Sequence, residues 1–314
     1  MRWVPHMTKI ITSATMAQYG WTPGAMRRAQ TQGRLTRIWP GCWVEAVPAE
    51  PAARHRLMVR AALLRERCES VASHASAAVC WGLPVQRIPD VVTLTTSNPG
   101  NGHRRGQLRR VGAPLETNEC TWQDDVALTT LARTVVDVAR DCDFVSAVMT
   151  ADAALARGLQ RGELDQALDR AGRWPGITRA REVARFADGR SESPYESWLR
   201  VQLCQMGLAP TPQLVIRDSF GQQLARVDLA LEELRLVIEF DGKDKYDVLV
   251  TDGRRPADVF RAEKERDRRL REVGWSVLHL SAIDVQDPER LRRLVRTAMA
   301  QARRNMVLQG TSAA

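Results

Sequence analysis

The segment Leu224 to Asp241, LARVDLALEELRLVIEFD, contains two runs in which apolar residues recur with a period of two, a pattern that demands a β-hairpin. If Glu232-Glu233 make the turn, Leu231 pairs with Leu234 and Asp228 with Val237. Ala225, Val227, Leu229, Leu231, Leu234, Leu236, Ile238 and Phe240 then form one face, the core, while Arg226, Asp228, Val237, Glu239 and Asp241 form the other. Asp228 and Glu239 become diagonal neighbours with Cβ atoms roughly 5–8 Å apart, a span that one divalent cation can bridge. Carboxylates this close repel unless a cation compensates. By itself the hairpin fits two readings equally: a carboxylate pair holding Mg²⁺ or Mn²⁺, or a solvated polar face balanced by Arg226 and Arg235.

The flanking residues extend the hairpin to an αβ module over 191–314. SPYESWLRVQLCQMG sets a helix with Ser193 as N-cap, Pro194 at the first helical position and Gly207 beyond the end. Ser193-x-x-Glu196 also has the spacing of a capping box. Gln213 to Arg217 reads as a further strand, 257–273 as a helix, Trp275 to Leu280 as a strand and 288–304 as a last helix. Within 257–273, Val259, Glu263, Arg266, Leu270 and Val273 share one stripe. Glu263 and Arg266 therefore interrupt an inward apolar face, and they either line a pocket or form an ion pair at i, i+3.

Residues 1–50 read as helix, tight turn, helix and small hairpin. The second helix starts at Thr22-Pro23 and stops at Gly33, and Pro40-Gly41 turns the hairpin. This is the layout of a winged helix-turn-helix. Met26 and Ala29 face its core; Arg27, Arg28, Gln30 and Thr31 on the second helix, with Arg34 and Arg37 on the wing, are the candidate nucleic-acid contacts. The net charge of +9 over 314 residues suits a polyanionic partner, and DNA is the expected one. Residues 51–190 alternate helices with two or three strands, of which DVVTLTT is the clearest, and supply no nucleophile, phosphate loop or metal cluster. His74 and Trp81, in a small-residue helix, read as packing residues, and His103, in a Gly- and Arg-rich loop, as solvated.

The six cysteines are scattered without zinc-ligand spacing, there is no long apolar run, and MRWVPHMTK has no signal-peptide core. These features lead us to expect a reduced, cytoplasmic chain with no membrane partner. The whole reads as an α+β multidomain protein: winged helix-turn-helix, middle α/β region, and C-terminal αβ domain with a mixed sheet.

Two resemblances add to this reading. The N-terminal layout, with SHASAAVCWGLPV, TTLARTVVDVAR and TADAALARG, resembles the AbiEi family of abortive-infection type IV antitoxins. That implies a DNA-binding regulator, with a cognate toxin protein as a second partner. Residues 194–285 resemble the PD-(D/E)XK nucleases, closest to the very-short-patch-repair-endonuclease-like domain, through Glu196, Asp228 in RVDLA, Glu239 and Asp241 in VIEFDG, Lys245 in DGKDKY and the helix AEKERDRRLREVGW. The resemblance implies that Asp228 and Glu239 hold the metal, that Lys245 stabilises charge or orients water, and that Glu196 helps place either. Asp241 stands where the superfamily has lysine, so Lys243 or Lys245 must substitute. Two functions follow: a Mg²⁺- or Mn²⁺-dependent DNA endonuclease, or a non-enzymatic antitoxin-like regulator with a degenerate nuclease fold.

Overall fold

The computed structural model describes residues 9–66, 69–98, 100, 102–241 and 256–312, which divide into two compact units. The first comprises Met1–Thr150 and Gly158–Phe186, the second Ala151–Arg157 and Ala187–Ala314. Both mix helices with sheet, so the fold is α+β.

The first unit opens with β1 (Ile11–Thr12), α1 (Ser13–Gln18), α2 (Pro23–Thr31), β2 (Thr36–Trp39) and β3 (Cys42–Val44), with strand order β1-β3-β2. The caps follow the sequence: Thr12 Oγ1 accepts from Thr15 N at 3.1 Å and Thr22 Oγ1 from Ala25 N at 3.2 Å. Gly41 turns the hairpin at φ +78, a left-handed conformation natural to glycine. Met16, Ala29, Leu35 and Trp43 make a small core, with Met26 packed against it. Trp39 and Cys42 belong instead to the core formed with α3 (Pro51–Arg65) and the following sheet.

That sheet has six strands in the order β6-β7-β5-β4-β9-β8, from β4 (Val71–Ala72), β5 (Val92–Thr96), β6 (His103–Arg105), β7 (Leu108–Gly112), β8 (Cys120–Gln123) and β9 (Val126–Thr129). The sequence pattern gives only two or three, because HRRGQLRRV carries arginines where strand alternation would show apolar residues. α4 (His74–Cys80), α5 (Leu131–Asp141), α6 (Phe144–Ala156), α7 (Arg161–Ala171) and α8 (Ile177–Phe186) complete this part of the chain, the last turns of α6 belonging to the second unit. Two of the motifs behind the antitoxin resemblance meet here. Trp81 Nε1 donates to Thr129 O at 2.9 Å, and His74 Nδ1 lies 3.9 Å from Asp137. Arg133, buried, reaches Asp137 at 3.0 Å and Glu119 at 2.9 Å. Burial lowers the His74 pKa. These conspicuous polar residues are thus part of a buried network.

In the second unit, α9 (Pro194–Gln205) precedes β10 (Thr211–Arg217), β11 (Gln223–Leu231), β12 (Leu236–Asp241), α10 (Pro256–Glu272), β13 (Ser276–Ser281), α11 (Ala282–Gln286) and α12 (Pro288–Ser312). The sheet order is β10-β11-β12-β13, antiparallel except for the parallel pair β12–β13. Leu199 and Leu203 of α9 and Leu291 and Val295 of α12 pack with Leu229, Leu231, Leu236, Ile238 and Phe240. Leu270 of α10 packs with Ala225, Val227, Ala230 and Val237.

Both faces of the hairpin are therefore covered, and two expectations need correction. The expected single core face is split: the alternation changes phase at Asp228, so that Ala225 and Val227 side with Ala230 while Leu229 and Leu231 face the other way. The register also moves by two residues, because Glu232–Leu234 coil into a 3₁₀ turn closed by a left-handed Arg235 (φ 46) in place of a two-residue turn. Leu231 pairs with Leu236 and Leu229 with Ile238, and one step further Asp228 stands opposite Glu239, not diagonal to it. Among the described residues no helix is long and apolar enough to cross a membrane.

Candidate metal-dependent site

The β11–β12 backbone ladder ends at Leu229–Ile238, and the next positions carry the acids. Asp228 Oδ2 accepts a hydrogen bond from Phe240 N at 2.9 Å, so a side-chain carboxylate engages backbone just past the end of the ladder. On its other side, in register, stands Gln213 with φ 53. Gln213 Nε2 donates to Glu196 Oε2 at 3.0 Å, which ties α9 to β10 beside Asp228. Ser193 Oγ caps α9 by accepting from Glu196 N at 3.2 Å, whereas the Glu196 carboxylate takes Glu192 N at 2.9 Å. Only half of the expected capping box forms. Burial raises the Glu196 pKa, and the negative charge of Asp228 raises it further.

Glu239, only 3% exposed, lies 2.7 Å from the Arg266 guanidinium of α10. Burial acts to lower the Arg266 pKa, but Glu239, Asp267 and Asp228 outweigh it and the net shift is upward. Arg266 is therefore the cation of the acid cluster, not half of an ion pair with Glu263. Arg226 pairs with exposed Glu192 at 2.5 Å. The solvated, Arg226-balanced face does not form.

Asp241 joins a different group. Parallel pairing sets His279 of β13 beside Glu239, and His279 Nδ1 lies 3.2 Å from Asp241 Oδ2. His279 Nε2 lies 3.0 Å from Asp267 Oδ2, a carboxylate 8% exposed on α10. The hydrogen bond to Asp241, then that to Asp267, raises the His279 pKa to about 9 against the opposing effect of burial. Asp241, Glu263 and His279 each offer a ligand atom, all within 4.8 Å of one another.

The structure thus brings together Glu196, Asp228, Glu239 and Arg266, and sets Asp241 and Glu263 with His279. Lys243 and Lys245 lie outside the described residues. Arg27, Arg28, Gln30, Thr31, Arg34 and Arg37 are all exposed in the first unit. Sequence reasoning missed His279 and Asp267. Their signals were a histidine flanked by leucines in a strand and an acid four residues after Glu263 on the α10 stripe.

No family model matches the chain. It is similar to two proteins of Mycobacterium tuberculosis, "Uncharacterized protein MT2308" of strain CDC 1551 / Oshkosh and "Uncharacterized protein Rv2248" of strain ATCC 25618 / H37Rv. Each is 30% identical over 278 residues, which span 86% of this chain and 94% of the relative. An alignment of that length reaches into both compact units, and the chain belongs to the family of these two mycobacterial proteins.

Proposed function

We propose that the protein binds DNA through a winged helix-turn-helix at residues 1–50 and cleaves it with a PD-(D/E)XK-type, divalent-metal-dependent site in the second unit. The observation that carries this reading is the convergence of Glu196 from α9, Asp228 from β11 and Glu239 from β12 beyond the end of a strand ladder, with Arg266 against them. The donor set fits Mg²⁺ or Mn²⁺. It is all oxygen, from carboxylates on two neighbouring strands, as a hard divalent cation requires. Asp228 and Glu239 would hold the ion, which when bound supplies a water of lowered pKa and charge neutralisation at a phosphate. Glu196, fixed by Gln213 and the Glu192 N–H, positions the acidic wall. Arg266 offers positive charge to the phosphate, and Lys243 and Lys245 are the further cations that the resemblance nominates. The exposed Arg27, Arg28, Arg34 and Arg37 supply the phosphate contacts that bring DNA to the protein.

A second reading, a non-enzymatic antitoxin-like regulator, is favoured by one observation: Arg266 already neutralises Glu239, so an internal cation stands where a metal would help. Plasmid nicking by the purified chain in Mg²⁺ or Mn²⁺ decides. We expect nicking that is abolished by chelator and by Asp228→Asn, with DNA binding retained. If the wild-type chain binds DNA and neither nicks it nor takes up either ion at millimolar concentration, the nuclease reading fails and the regulator stands.

A further inference from the structure

We infer that Asp241, Glu263 and His279 form a second metal site, built for a borderline transition-metal ion of the Zn²⁺ class and separate from the Asp228–Glu239 pair. The three residues come from three elements. Asp241 ends β12, His279 lies in the neighbouring parallel strand β13, and Glu263 lies on α10, whose Leu270 packs on the Val237 side of the sheet. One imidazole nitrogen with two carboxylates is a donor set suited to Zn²⁺ more than to Mg²⁺, which prefers oxygen alone. Three protein ligands leave a fourth position for water or substrate.

The surroundings of His279 are those of a ligand. Its Nε2 is engaged by Asp267 at 3.0 Å, a carboxylate 8% exposed, and its Nδ1 is turned to Asp241. Metal-bound imidazoles are held in this way, with the far nitrogen donating to a carboxylate that fixes ring orientation and tautomer. The ligand atoms now lie within 4.8 Å of one another, and a tetrahedral ion with bonds of about 2.1 Å needs separations of about 3.4 Å. Asp241, Glu263 and His279 are all only half-buried, so their side chains have room to draw in.

This site rests on none of the residues that carry the nuclease proposal; Asp241, which the resemblance set in the nuclease motif, falls in the new group. The test is a Co²⁺ titration of the full chain after chelation, read by visible absorption and followed by displacement with Zn²⁺. We expect the strong visible absorption of one low-coordinate Co²⁺ per chain, whereas Co²⁺ held by the all-oxygen Asp228–Glu239 pair and water absorbs only weakly. His279→Gln should abolish the low-coordinate binding, Asp267→Asn should weaken it about 10–100-fold, and Asp228→Asn should leave it unchanged. Glu263→Gln, on a half-exposed helix position, gives a second ligand variant that does not burden the sheet. Absence of Co²⁺ and Zn²⁺ binding in the wild-type chain overturns the inference, as does low-coordinate absorption that survives His279→Gln and Glu263→Gln. Binding lost in Asp228→Asn alone also overturns it, because the ion then belongs to the nuclease pair. Absence of DNA nicking with Co²⁺ binding intact sinks the nuclease reading and leaves this site standing.

Discussion

Replacing Arg133 by Met should unfold the first unit well before the rest of the chain. Arg133 is 1% exposed and donates to Asp137 at 3.0 Å, Glu119 at 2.9 Å and Pro114 O at 3.2 Å, with its guanidinium 4.4 Å above the Trp174 ring. Methionine fills most of the volume but leaves Asp137 and Glu119, both buried, without their central cation. Breaking a buried pair from one side costs about 3–5 kcal/mol. Here Arg140 still reaches Asp137 at 3.0 Å and Arg170 still lies 3.4 Å from Glu119, so the lower end applies, about 3 kcal/mol. For a unit of this size that is a drop of about 6–12 °C in Tm. Urea unfolding followed by tryptophan fluorescence, analysed as separate transitions for the two units, gives the number. Asp137→Asn should cost at least as much, because Arg133 and Arg140 would then both lose a buried carboxylate. A change within about 0.5 kcal/mol for Arg133→Met would show that the network is an energetic bystander, and the reading of these motifs as scaffold would fail.

In buffer containing chelator, the stability contributed by His279 should be complete below about pH 6.5 and vanish as pH rises through about 9, because its folded pKa lies above its unfolded value. Denaturation of wild type and His279→Gln at pH 6 and pH 10 checks this, and a pH-independent difference between them refutes it. Arg27→Ala with Arg28→Ala should weaken DNA binding and flatten the dependence of log K on log salt, measured by fluorescence anisotropy; unchanged binding removes α2 from the interface. A fragment beginning at Ser191 should fold but melt lower than one that retains 151–157, since Arg200 then loses Asp152, its buried partner at 2.7 Å. Equal melting temperatures would show that this pair adds nothing.

The helix starts were legible because capping is local: Thr22-Pro23 and Ser193-Pro194 open α2 and α9 where the side chains said they would. The pairing of apolar strand with acid was legible too, since a two-residue register shift preserves side-chain parity. The register itself was not, because EELR lacks the Asn-Gly or Asp-Gly that would fix a two-residue turn, and the chain coils through Arg235. The phase change at Asp228 lies opposite the positive φ of Gln213, a residue with no local signal for it. His279 and Asp267 meet Asp241 across elements well separated in sequence, a contact that no periodicity records.

The hydrogen bond from Phe240 N to Asp228 gives this acid two employers. An aspartate that serves the backbone would be kept by selection for folding even in a lineage whose chemistry had lapsed. Asparagine preserves an acceptor for Phe240 N and alanine does not, so Ala at this position would confuse loss of charge with loss of strand order. Glu239 has a structural tie of its own, since its loss would leave the Arg266 guanidinium at 2.7 Å without this carboxylate. Among descendants of this fold, Asp228 can therefore persist as a relic of architecture after its chemistry has gone.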